Sequence, residues 1–244
     1  MKRLFAVLAG MLLATSSFAA GTTVDYVIGD TTYEGYFISP SPDAPLILLI
    51  HDWDGIGDYE IRRAQMLAEA GYAVFAADMY GKGVRPAEIA ERRRLTNSLY
   101  QDRASMRKLL NGALDTAAAA GANVDNAVAL GYCFGGAVVL ELARAGAPLK
   151  AFVSFHGGLV TPQGQDYAET SGSVMILHGT ADTAVTMDHF AQLAKELEEH
   201  QVVHEMITYS GAPHAFTVFG SDRYREDADR KSWQRFLDFL TETF

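Results

Sequence analysis

Six short apolar runs constrain what this 244-residue chain can fold into. They are PLILLIH (Pro45 to His51), YAVFAAD (Tyr72 to Asp78), AVALGY (Ala127 to Tyr132), KAFVSFH (Lys150 to His156), SVMILHG (Ser173 to Gly179) and VVHEMITY (Val202 to Tyr209). Runs this short that lack a polar face must be covered on both sides, which is the condition of a strand in a parallel sheet between helical layers. The segments between them carry apolar residues at helical spacing, clearest in Trp233, Phe236, Leu237, Leu240 and Phe244 and again in Met187, Phe190, Leu193 and Leu197. Such stripes are core packing. Pro86 to Ala120 reads as a long helical region, interrupted near Asn97-Ser98 and stopped by Gly121. Its charge cluster Glu91-Arg92-Arg93-Arg94 reads as a solvated face. Before the first apolar run, TTVDYVIGDTTYEGYFISP alternates in the manner of an antiparallel hairpin turning at Gly29-Asp30.

The expected architecture is therefore α/β: a mostly parallel eight-stranded sheet with an N-terminal antiparallel hairpin and helices on both faces. No internal repeat, low-complexity tract or linker divides it, so residues 20–244 are expected to form one domain. The polar stretch from Thr161 to Gly172 is too short for a cap domain, which predicts an open site. Residues 1–19 read differently, with Lys2 and Arg3, an apolar run from Leu4 to Ala14, then Ser17-Phe18-Ala19. That is the plan of a secretory signal peptide cut after Ala19, and the run is too short for a bilayer span. A periplasmic or secreted protein is expected. Loss of Lys2 and Arg3 moves the formal net charge from −10 to −12. An acidic chain disfavours nucleic acid and anionic membrane as partners, leaving a small-molecule substrate and a monomer or small homo-oligomer as the expectation.

One cysteine is present, so no internal disulfide forms. Cys133 sits in GYCFGG, directly after an apolar strand and before a helix that opens on small residues. G-x-C-x-G at a strand-to-helix junction is the nucleophile-elbow pattern with sulfur in place of oxygen. The turn is sharp, so Gly131 and Gly135 have no room for side chains, and the helix N-terminus favours a thiolate. An acid and then a histidine should follow, each beyond a later strand. Asp182 in HGTAD and His214 in SGAPHAF satisfy that order.

From about Tyr33 onward the chain resembles the dienelactone hydrolases, cysteine-nucleophile members of the α/β-hydrolase fold. The resemblance rests on GYCFGG, HGTAD, GAPHAF and AADMYGKG. It implies a triad of Cys133, Asp182 and His214, and an acid touching the nucleophile at Asp52 in HDWDG, where the family usually has glutamate; Asp54 is the alternative, one residue late. By analogy, the backbone N–H groups of Phe134 and Trp53 would form an oxyanion hole. The family binds its anionic lactone with arginines. One such position holds Lys82 and the other Val218, so Lys82, Arg85 and Tyr80 are the substrate-binding candidates and an ester or lactone less charged than dienelactone is expected. The expected reaction is hydrolysis of a small ester or lactone through a thioester on Cys133, without a cofactor.

Other readings are a non-hydrolytic periplasmic thiol, redox or binding protein on the same fold, and an acyltransferase or peptidase using the same triad. Of the seven histidines, His200 and His204 are four apart but cross from a helix end into a strand, so no metal site is expected. His51, His156 and His178 are expected at strand ends, held by backbone hydrogen bonds.

Overall fold

The computed structural model describes residues 20–244; the segment read as an export signal lies outside them. Eight strands form one sheet in the order β1-β2-β4-β3-β5-β6-β7-β8. β1 (Thr22–Ile28) and β2 (Thr31–Ile38) make the hairpin, joined by Gly29-Asp30 with Gly29 at φ +64°. β2 runs antiparallel to β4 (Ala73–Ala77), and every later pairing is parallel: β4 with β3 (Pro45–Ile50), β3 with β5 (Asn123–Tyr132), then β6 (Ala151–Phe155), β7 (Ser173–Gly179) and β8 (His204–Tyr209).

The apolar runs need no polar face because both sides of the sheet are covered. Leu46, Leu48 and Ile50 of β3 pack with Met106 and Leu110 of α3 (Arg103–Ala119), Val138 and Val139 of α4 (Phe134–Arg144), and Leu193 and Leu197 of α5 (Met187–Glu199). The intervening Ile47 and Leu49 pack on the opposite face with Leu67 of α1 (Asp58–Glu69) and Phe236 and Leu240 of α6 (Glu226–Thr243). Two details differ from the pattern on the helices. Phe239 is buried although the α6 stripe omits it, and Met187 is 38% exposed where α5 begins.

The helical region after β4 breaks at Asp102 rather than at Asn97-Ser98. Ser98 bonds back to the Leu95 carbonyl at 2.7 Å, which leaves α2 (Ile89–Gln101) continuous. Asp102 instead leaves the helical region at φ −116°, ψ 76°, and accepts from the Ser105 N–H at 2.9 Å, capping α3. The 161–172 loop is pinned from beneath by Tyr167, fully buried, which accepts from Arg144 at 2.8 Å. Among the described residues no helix is long and apolar enough to cross a membrane.

Candidate active site

Parallel strands deliver their C-terminal ends, and the loops that follow, to one edge of the sheet. Cys133 stands at the end of β5 with φ 52° and ψ −111°, a backbone that side-chain-bearing residues seldom adopt and that costs about 1–3 kcal/mol. Its surroundings enforce it. The Cys133 N–H donates to the Phe155 carbonyl at 3.0 Å. A Cβ at Gly131 would collide with the Gly135 carbonyl, and one at Gly135 with the carbonyls of Ile50 and His51. α4 can therefore start close against the end of β3, where the His51 to Gly57 segment begins.

The structure brings Cys133, His214 and Asp182 together. His214 Nε2 lies 3.1 Å from Cys133 Sγ and its Nδ1 lies 2.7 Å from Asp182 Oδ2. The other Asp182 oxygen accepts from the N–H groups of Ala184 and Val185, each at 2.9 Å. Burial raises the Asp182 carboxyl, but the bonds from His214 and these N–H groups hold it below its ordinary value. For His214 burial disfavours the charged ring, yet the hydrogen bonds to Asp182 and Cys133 prevail and raise it to about 10. The His214 imidazole therefore keeps its proton at neutral pH.

Two N–H groups flank this turn: Phe134 at the first position of α4, and Trp53 after β3. Among the described residues neither has an acceptor. Trp53 is held through its carbonyl, which accepts from the Tyr80 hydroxyl at 3.1 Å, while the Tyr80 ring packs against His51 and Phe134 with centroids 4.7 and 5.8 Å away. Tyr80 acts here on the loop. Arg92 corrects the reading of its cluster as a solvated face: its guanidinium lies 5.4 Å over the Trp53 ring and 3.4 Å from Asp54.

Asp52 is 8% exposed and gathered with Asp54 and Glu60, all three offering oxygens within 4.8 Å of one another. Its carboxyl is pushed up to about 10, first by burial, then by the hydrogen bond with Asp54 and the nearby Glu60, Asp54 and Cys133. Glu60, lifted to about 7 by burial, accepts from the Gly57 N–H at 2.9 Å and the Asp52 N–H at 3.4 Å. Its place three residues past Gly57, at a helix start, was the sequence signal for this role. Folded protein keeps the Asp52 proton through neutrality while the unfolded chain loses it near pH 4. The folded state then binds more protons, so this group's contribution to stability falls as pH rises from about 4 towards 10. Asp52→Asn is expected to raise the melting temperature relative to the parent more at pH 9 than at pH 5. Calorimetry giving the same difference at both pH values would refute the assignment.

The remaining candidates lie elsewhere. Lys82 is turned to the hairpin, its ammonium paired with Asp25 and 4.0 Å from Glu34; β4 and β3 separate that edge from β5 and Cys133. Arg85 straps the loop beyond Trp53, donating to the Ile56 carbonyl at 2.5 Å and the Val84 carbonyl at 2.9 Å, with Glu34 at 3.6 Å. Neither guanidinium nor ammonium is directed to the sulfur.

His51 is held at both ring nitrogens by backbone groups, with Nδ1 2.5 Å from the Asp52 carbonyl and Nε2 accepting from the Met79 N–H at 3.1 Å. His178 bonds the Val185 carbonyl at 2.9 Å. His156 departs from that pattern: its Nε2 meets the Thr217 hydroxyl at 2.8 Å, and its ring centroid lies 5.5 Å from that of His214. Burial keeps it neutral, its pKa well below the ordinary value. Thr217 also meets the Tyr59 hydroxyl at 2.6 Å and accepts through its carbonyl from Arg63 at 2.9 Å. Tyr59, Arg63, His156 and Thr217 thus anchor the irregular segment that carries His214, and nothing in the sequence pattern pointed to Tyr59, Arg63 or Thr217.

The family model for the dienelactone hydrolases matches residues 33–244. Among solved structures, a dienelactone hydrolase-like promiscuous phosphotriesterase from metagenomic libraries is 32% identical, with a TM-score of 0.86 over 92% of this chain and 98% of its own. Among curated proteins, the "Putative carboxymethylenebutenolidase" of Yersinia pestis is 24% identical over 208 residues, 81% of this chain and 78% of its own. The "Probable 2-oxo-3-(5-oxofuran-2-ylidene)propanoate lactonase" of Bradyrhizobium sp. is 25% identical over 206 residues, 80% of this chain and 83% of its own. With a matching family model over most of its length and a shared α/β-hydrolase architecture, this chain belongs to the dienelactone hydrolase family.

Proposed function

We propose that this hydrolase cleaves a small uncharged ester or lactone through a thioester on Cys133. The observation that carries the reading is the continuous path from sulfur to imidazole to carboxylate, 3.1 and 2.7 Å long, on a strained strand-to-helix turn. The Cys133 thiolate attacks the carbonyl carbon, and the resulting oxyanion is met by the N–H groups of Phe134 and Trp53. On collapse the carbon–oxygen bond to the alcohol breaks, and the imidazolium of His214 gives its proton to the departing alkoxide. Water then loses a proton to His214 and attacks the thioester, and the acid leaves with the thiolate restored. Asp182 orients the ring throughout. Tyr80 supports the reaction by fixing the Trp53 peptide.

An uncharged substrate is favoured because the cationic candidates are engaged elsewhere and Val218 occupies the second family arginine position. The relatives named for a butenolide and for a lactone make cyclic esters the first compounds to try. Export directed by residues 1–19 would put this chemistry in the periplasm or outside the cell.

Acid quenching during turnover of p-nitrophenyl acetate is expected to trap protein heavier by one acetyl group, with the added mass on the Cys133 peptide and removed by neutral hydroxylamine. Turnover with acetyl on another residue would overturn the mechanism.

A further inference from the structure

A cavity of about 370 Å³ opens on the face of the sheet covered by α3, α4 and α5, walled by residues that neighbour the triad in the chain or in space without including it. It lies within the size range of small-molecule sites. Its walls come from Tyr100 near the end of α2, Ala137 in the first turn of α4, Leu159, Val160 and Pro162 after β6, and Val185 after β7. Three of these wall residues touch the candidate site from outside. Ala137 N–H bonds the Cys133 carbonyl at 3.4 Å, and Val185 N–H holds Asp182. Tyr100 packs edge-on against Phe134, centroids 5.6 Å apart.

Arg103, Arg144 and His189 share the cavity wall, and each is engaged: His189 Nδ1 accepts from the Thr186 N–H at 3.3 Å. Arg144 donates to Gln165, Tyr167 and Glu141, and its side chain is 4% exposed. Arg103 bonds the fully buried Glu141 at 2.8 Å and lies over the Tyr100 ring, so both guanidinium charges are already paired. At the mouth, Val160 is 64% exposed, a branched apolar side chain with nothing over it. A largely apolar lining one residue removed from the nucleophile and its acid suits an apolar group attached to the reacting carbonyl or to its alcohol.

We propose that this cavity binds an uncharged alkyl or phenyl arm of the ester, making the enzyme selective for substrates with a bulkier apolar group than acetyl or methyl. The inference rests on the hydrolytic reading above and adds to it the chemistry of the substrate. Two series test it and separate the two arms: p-nitrophenyl acetate, butyrate and hexanoate vary the acyl side, and methyl, butyl and hexyl acetate vary the alcohol side. In one series kcat/KM is expected to climb by up to about fourfold per added methylene, the worth of burying one such group. Val160→Asp, at an exposed position that the fold does not depend on, should flatten the slope of that same series. A flat or falling trend in both series overturns the proposal. So does a slope that Val160→Asp leaves unchanged, or a preference for the acid-terminated adipate monoester over the neutral hexanoate, which would make Arg103 an anion site. Cys133-dependent acetate hydrolysis with flat series removes the cavity assignment alone, whereas no such hydrolysis removes the function reading. Occupancy is also read without turnover: hexanol should shift the methyl resonances of Leu159, Val160 and Val185, and an absence of shifts counts against the site.

Discussion

Cys133→Ala is expected to lower kcat for p-nitrophenyl acetate by about four to six orders of magnitude, the loss typical of removing a nucleophile that works as one unit with its base. What remains should come from the two N–H groups and binding alone. The same variant carries a second readout. His214 is held at about 10 partly by its hydrogen bond to, and charge attraction from, the sulfur. Without that partner the imidazolium loses stabilisation, so its titration in the NMR spectrum should move to lower pH. The thermal midpoint should change little, since alanine inherits the same φ of 52° and deletes one partly exposed atom. Full activity in Cys133→Ala, or a His214 titration that stays in place, would remove sulfur from the mechanism.

Arg63→Ala is expected to have the largest effect on stability, about 3–5 kcal/mol, because it strands a buried carboxylate. Arg63 is 1% exposed and paired with Asp229, itself 5% exposed. Its guanidinium is boxed by the rings of Phe219 and Trp233 at 4.2 and 4.9 Å. For a domain of this size the loss corresponds to a fall in melting temperature of about 10 °C. Removing both charges together is a different experiment. Arg63→Met with Asp229→Leu fills the space with hydrocarbon and leaves no stranded ion, so it should recover much of that loss. Because Arg63 also holds the Thr217 carbonyl, three residues past His214, the double variant should still show reduced kcat. Equal melting temperatures for the single and double variants would show that the pair is not energetically coupled.

Much of the fold was legible in the chain itself. Unbroken apolar runs such as Leu46 to Ile50 require cover on both faces, and the helical stripes of α5 and α6 supply it. The two-residue turn at Gly29-Asp30 fixes the hairpin by local backbone preference. The break at Asp102 was harder to place, because Asn97-Ser98 and Asp102 have similar propensities and the outcome turns on one cap bond to Ser105. At the candidate site, Gly131 and Gly135 announced the turn around Cys133 through their spacing. Asp182 and His214 were located by their order after later strands.

Pattern reading failed where the partner of a residue is distant in the chain. Arg63 and Thr217 are separated by 154 positions, and Tyr59 and Thr217 by 158. Arg92 reads as one more charge on a polar helix until Trp53 is seen beneath it. Lys82 is a substrate-binding candidate by resemblance alone, and in the fold it is drawn off by Asp25, 57 residues earlier, on a hairpin whose placement no motif specifies. The sequence by itself determined the strands, the helices and the sharp turn that bears the sulfur, since these follow from periodicity and steric exclusion acting over a few residues. Only the tertiary structure decided which charges are neutralised by one another, how strongly His214 holds its proton, and where a largely apolar cavity opens. Burial and Coulomb energy depend on distances in space, and separation along the chain does not encode those distances.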